Sequence, residues 1–150
     1  MLKQLVWACL AVGIVGFQSA RAEEPAKETK PEAAAEENVF ELTSTETTVL
    51  EMTNNERVRR GLKPLVIDPS LVESARQHAN WMASTHRMQH TSKPVGENIA
   101  MGQNTCTSVM TTWMNSSGHR ANILGGWNRV GAAAYTSPSG RIYWCLQFLR

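Results

Sequence analysis

Three residues of the chain have the chemistry to hold a divalent cation or to relay a proton: His90, Glu97 and His119. Two imidazoles and one carboxylate, completed by water, are a sufficient ligand set for zinc or magnesium. The same three groups also make a charge-assisted hydrogen-bond hub, a carboxylate between two imidazoles that knits loops together. The hub is the preferred reading, because strong metal sites bring a full ligand set. No cofactor is required by it. Glu97 is one of only five acids from residue 47 onward, and it lies in a Gly-flanked segment where exposure is expected. His86 stands four residues before His90, a metal spacing if helical, but the intervening Glu of the metalloprotease motif is missing. His86 is therefore read as a solvated helix end.

Nucleophilic catalysis needs an activated group beside a base. Ser116 and Ser117 closely precede His119, yet the chain has no Gly-x-Ser-x-Gly elbow, and neighbouring serines ahead of a helix read as N-caps. Cys106 with His119 would imitate a thiol hydrolase, but Cys106 and Cys145 are the two cysteines left once an export signal is removed. An even pair outside the cytoplasm is expected to bond. Closing that loop would contribute on the order of 4 kcal/mol from chain entropy, less any strain.

The elements that must position these residues follow from periodicity. Lys3, the apolar stretch Leu5 to Phe17 and Ala20-Arg21-Ala22 have the layout of an export signal, cleaved after Ala22. Residues 23–43 then form an acidic linker, with Pro25 and Pro31 blocking a long helix and eight Glu between residues 23 and 46 against Lys27 and Lys30. Thr43 and Glu46 have capping-box spacing before a first helix, Glu46 to Arg60, ending at Gly61. Leu62 to Leu65 is a connector. Asp68-Pro69 opens a second helix to about Thr85, with Leu71, Ala75, Ala79 and Met82 on one face and His78 on or beside that stripe. Shorter helices cover about Thr107 to Asn115 and His119 to Leu124. Val130 to Tyr135 and Arg141 to Leu149 read as two strands around a Ser-Pro-Ser-Gly turn, with Ile142, Trp144, Leu146 and Phe148 on the core face and Cys145 on the other. Helices first and a strand pair last make an α+β domain over residues 44–150. Trp81, Trp113, Trp127 and Trp144 read as packing residues, Trp127 at a cleft rim.

In order, the motifs Asn54-x-x-Arg57, Gly61-Leu62-x-Pro64-Leu65, His78-Ala79, His90, Gly96-Glu97-Asn98-Ile99-Ala100, the run from Trp113 to Leu124, Val130-Gly131 and Tyr143-Trp144 with Phe148 resemble one family. It is the CAP superfamily of cysteine-rich secretory proteins, venom antigens and plant pathogenesis-related proteins, and within it the bacterial SCP-like extracellular branch. The resemblance runs from about Thr47 to Arg150 and implies an α-β-α sandwich with a cleft at one side. In members with the full pattern, two His and two Glu line that cleft. By motif His90 resembles the first histidine, Glu97 the first glutamate and His119 the second histidine. Ser116 stands where the second glutamate is expected, so the set is incomplete and the metal and catalytic readings weaken.

Residues 47 to 150 hold eleven Arg or Lys, a balance of +6. An anionic envelope lipid or cell-wall polymer suits that charge. Nucleic acid does not, since no basic run is interleaved with aromatics. Beyond the N-terminus no apolar run is long enough to span a bilayer, so after cleavage the chain is expected not to be an integral membrane protein. The expected product is a secreted or periplasmic binding module for a lipid or envelope component, its oligomeric state left open. The alternative is a metal-assisted hydrolase using His90, Glu97 and His119. Intact mass of the protein recovered from its native host is expected to match residues 23–150; a mass retaining Met1 to Ala22 contradicts the signal.

Overall fold

A computed structural model describes residues 40–150. The expected signal, and the linker up to residue 39, lie outside the described residues. The last linker residues are engaged with the fold: Arg76 lies over the Phe40 ring and donates to the Glu41 carbonyl.

Helix α1 spans Ser44–Val58, strand β1 Val66–Ile67, α2 Pro69–Thr85, β2 Gly96–Met101, α3 Cys106–Asn115, α4 Ser117–Ile123, β3 Arg129–Thr136 and β4 Ile142–Leu149. The Thr43/Glu46 capping box is present, which makes Thr43 the N-cap and starts α1 two residues earlier than expected. Asp68 caps α2 as expected, accepting from the backbone N–H of Ser70 and Leu71. That helix ends at Thr85, with His86 exposed in the left-handed region at φ 55°. His86 and His90 are therefore not a helical pair.

The sheet has strand order β1-β3-β4-β2, antiparallel except for the parallel β1–β3 edge. Neither β1 nor β2 was expected from sequence. Val66 and Ile67 form a two-residue strand that leaves both side chains exposed, so it carries no burial pattern. Gly96 and Asn98 are poor strand formers, and β2 exists because it pairs with β4 along its whole length.

Both faces of the sheet are covered, which makes the α-β-α sandwich. Trp144, Leu146 and Phe148 of β4 pack with Val49, Leu50, Val109, Trp113 and Ile123 under α1, α3 and α4. Tyr143 and Cys145 pack on the other face with Ala75, Ala79, Met82 and Ala83 of α2. The expected single core face of β4 is thus half of the core, because a central strand covered on both sides buries both parities. The expected disulfide fails for the same reason. Cys145 lies on the α2 side and its Sγ faces Glu97 Oε2 at 3.5 Å, whereas Cys106 packs against the α1–α3 core with its Sγ 3.8 Å from the Thr45 carbonyl. The sheet stands between the two thiols, and both are free.

Small residues bring α2 onto the sheet. A Cβ on Gly131 of β3 would stand 2.3 Å from Leu71 C and Val72 N, both backbone atoms of α2. Neither can yield without moving the helix. Gly131→Ala is therefore expected to cost about 1–3 kcal/mol of stability, the usual cost of overpacking, read from urea unfolding against wild type; unchanged stability contradicts the close helix–sheet contact.

Candidate functional site

The site is built where the edge strand β2 meets the loop that follows α2. Glu97 points to the α2 face, in register with Gln147 of β4, and its residue is only 7 % exposed. The expected exposure of this carboxylate is wrong: pairing of β2 with β4 takes it inside. A buried carboxylate must be compensated by donors, and four are fixed around it. Oε1 accepts from His90 Nδ1 at 2.8 Å and from the Thr91 backbone N–H at 3.0 Å. Oε2 accepts from Gln147 Nε2 at 3.0 Å and faces the Cys145 thiol. His78 Nε2 lies 3.7 Å from the same oxygen and donates to the Gln89 carbonyl at 2.8 Å.

These partners determine the tautomers. A carboxylate or a carbonyl only accepts, so His90 carries a proton on Nδ1 and His78 one on Nε2. His90 Nε2 is left free, on a side chain that is 60 % exposed. Burial alone would raise the Glu97 pKa, but donors from Gln147, Thr91 and His90, with the charge of His78, outweigh it and hold the carboxyl below its ordinary value. The Cys145 thiol is pushed well up, first by burial and then by the neighbouring Glu97 charge. It stays protonated and is no nucleophile.

His119 comes from the other side of β2. Its backbone carbonyl accepts from Asn98 Nδ2 at 2.9 Å, and its Nδ1 is buried without a hydrogen-bond partner. Burial, then the charge of His90, lowers its pKa. Its ring makes no hydrogen bond to His90 or Glu97, so the structure joins His90 and Glu97 directly and ties His119 to β2 through its backbone carbonyl. Ser116 sits at the junction of α3 and α4 as the N-cap residue of α4, but its side chain makes no capping bond. The N-cap position is as expected; the capping bond is not formed.

Hydrogen bonds between α4 and β2 keep this arrangement in place. Asn122 Nδ2 donates to the Glu97 carbonyl at 3.1 Å and to Asn98 Oδ1 at 2.9 Å, and Trp113 Nε1 donates to the Ile99 carbonyl at 3.3 Å. Side chains of α3 and α4 thereby occupy the open edge of β2. Arg57 fixes α4 in turn: its Nη1 donates to the carbonyls of Ile123 and Gly125 at 2.9 and 2.8 Å, and its Nε to that of Lys63 at 3.0 Å. Asn54 makes a two-way bond with the Leu65 backbone, at 3.0 and 2.8 Å. The Asn-x-x-Arg motif is thus a clamp between α1, the connector and the end of α4.

Sequence reasoning missed Gln147, Cys145 and His78 as partners of Glu97. Gln147 and Cys145 share the parity of β4 that faces Glu97, but that signal becomes readable only when β2 is known to pair with β4.

With this geometry in view, comparison with known proteins decides the family. Residues 50–148 match the model of the cysteine-rich secretory protein family, CAP. The chain belongs to this family. It is similar to the uncharacterized protein YkwD of Bacillus subtilis, 34% identical over 174 aligned residues that take in 92% of this chain and 66% of YkwD. Among solved structures, an extracellular protein containing a SCP domain from Bacillus anthracis superposes with a TM-score of 0.64 at 23% identity, covering 71% of this chain and 40% of that one. A cysteine-rich secretory protein of Staphylococcus aureus does so with a TM-score of 0.57 at 25% identity, covering 70% of this chain and 38% of that one. The chain thus spans about two thirds of YkwD and well under half of each of these two solved relatives.

The expected metal set can be tested on the donors. Both Glu97 oxygens and His90 Nδ1 are already committed, which leaves His90 Nε2 and the orphaned His119 Nδ1. Two nitrogens are fewer than the three protein ligands of a catalytic zinc. These residues alone do not fit a tight zinc or magnesium site. Among the described residues no helix is long and apolar enough to cross a membrane.

Because the Glu97 pKa is depressed, its ionised form stabilises the fold above the ordinary carboxylate pKa, and that contribution is lost as pH falls through the folded value. Glu97→Gln is expected to cost about 1.5–3 kcal/mol at neutral pH, the range for a charged hydrogen bond. Thermal unfolding across pH should show the gap to wild type closing in acid; a gap independent of pH contradicts the buried carboxylate as its source.

Proposed function

We propose that the chain is an exported envelope-binding protein that takes a lipid, cell-wall or other envelope ligand at the cleft around His90, Glu97, Ser116 and His119, without robust catalysis. Residues 1–22 direct export, residues 23–43 are the linker, and the domain from residue 44 onward does the binding.

One observation carries the reading: the carboxylate at the centre of the site is saturated with fixed donors. A general acid must hold a proton near neutral pH and a general base must offer a lone pair to its substrate. Glu97, held below the ordinary carboxylate value, carries no proton near neutral pH, and both its oxygens are already taken by fixed donors. The remaining nucleophiles fare no better. The Cys145 thiol is buried and protonated, and the Ser116 side chain has no base bonded to it. What such a network supplies is rigidity, which a binding site needs so that little freedom is lost when the ligand arrives. The family's extracellular relatives and the basic balance of the domain support an envelope ligand. Metal-assisted hydrolysis is the second reading, favoured by the buried and unpartnered His119 Nδ1.

The test sets the purified chain against ester, peptide and peptidoglycan substrates, with and without zinc or magnesium, beside binding to lipid vesicles and wall fragments. Saturable binding to vesicles or wall fragments with turnover at background is expected. Metal-dependent turnover that disappears in both Glu97→Gln and His119→Ala, each still folded, overturns the proposal in favour of the hydrolase; absence of all binding overturns it as well.

A further inference from the structure

The outer face of α2 carries a groove that the buried network leaves unexplained. Ser74, Gln77, His78 and Trp81 stand at i, i+3, i+4 and i+7, a single stripe along the helix. The segment from Gln89 to Lys93 returns beside this stripe and walls two adjoining depressions of about 280 and 160 Å3, with His78, Trp81 and Thr91 common to both. Lys93 Nζ reaches across to Ser74 Oγ at 2.8 Å and closes one end. Seven residues of helix give the stripe a length of about 10 Å.

Trp81 is the anomaly. Expected as a packing residue, it is 38 % exposed, although an indole has the most to gain from burial. Its ring is stacked on the His78 imidazole, with centroids 5.6 Å apart and planes 9° from parallel. The imidazole is held in turn by its bond to the Gln89 carbonyl and its approach to Glu97. The indole is thus a flat apolar surface on a rigid support. Around it the lining is polar: hydroxyls of Thr91 and Ser92, the amides of Gln77 and Gln89 and the imidazole of His90.

We infer that this groove binds a glycan, a run of linked pyranose rings without dense charge, such as N-acetylated amino sugars. This rests on the reading of the chain as an envelope-binding protein and names the ligand's chemical class. A pyranose presents a flat face of C–H groups to stack on Trp81 and an equatorial rim of hydroxyls that both donate and accept, which is what amides and hydroxyls recognise. An acyl chain would leave those groups desolvated and unpaired. A strongly anionic polymer would find one lysine, already turned to Ser74, and the imidazole of His90, already bonded to Glu97. The length suits two linked rings.

The probe is the tetramer of N-acetylglucosamine, titrated calorimetrically into the full chain. Saturable binding is expected. Trp81→Ala should weaken it at least about tenfold, equivalent to 1.4 kcal/mol and in keeping with truncation of an aromatic anchor, while Trp81→Phe keeps most of it. Gln77→Ala, at an exposed position, should weaken binding by a smaller factor and decides the matter if Trp81→Ala does not fold. No binding by wild type, or equal binding by folded Trp81→Ala, overturns the inference. A chain that binds lipid vesicles but not the tetramer overturns the glycan alone and leaves the binding reading standing; one that binds neither and hydrolyses substrate overturns both.

Discussion

A carboxylate taken out of water at the edge of a sheet organises this molecule. An isolated buried charge costs far more than a domain's net stability, so Glu97 can be inside only if donors meet it there. Those donors come from two directions, Gln147 and Cys145 from the neighbouring strand and His90 and Thr91 from the loop ahead of β2, while His78 of α2 stands 3.7 Å from the carboxylate and donates to the Gln89 carbonyl. Each segment is therefore held by the same acceptor. The loop between α2 and β2, which has no regular structure of its own, is tied to this group through His90 and Thr91 and to α2 through Gln89 and Lys93.

The close approach of α2 brings His78 beside the carboxylate. Ala75, Ala79 and Ala83 on the helix, against Gly131 and Ala133 on β3, present almost no side-chain thickness, so helix and sheet meet nearly backbone to backbone. A larger residue at Gly131 would lift the helix, and with it His78, away from Glu97. The same contact turns the polar face of α2 outward and leaves Trp81 and His78 as a fixed surface beside the returning loop. Core packing on one side of the helix thus shapes the groove on the other.

On the opposite face the joints are hydrogen bonds to carbonyls. Arg57 ends α4 by bonding Ile123 and Gly125, and Asn122 and Trp113 close the free edge of β2. A guanidinium is suited to the first task because it carries several donors in one plane and stays charged although burial lowers its pKa. With both ends of α4 bonded, His119 is delivered to β2 through its backbone, and its ring nitrogen is left without a partner. The site combines a saturated carboxylate with an unsatisfied imidazole.

Helices were legible from sequence because their signals are local: the Thr43–Glu46 box, Asp68-Pro69, and apolar residues three and four apart that α1, α2 and α3 all show. The alternation of β4 was legible too, including the parity that turns Cys145 away from Trp144. The order of motifs pointed to the family and to His90, Glu97 and His119. What sequence could not supply was partnership between distant segments. Strand β2 hides among Gly96, Glu97 and Asn98 because its stability comes from pairing with β4, some fifty residues on. Without that pairing Glu97 seemed exposed, Gln147 had no role, and two cysteines on opposite faces of a sheet looked like a bond. Periodicity along the chain determines which face a side chain takes within its own element; only tertiary structure decides which other element that face meets, because the energy of a buried charge or thiol belongs to its neighbours in space.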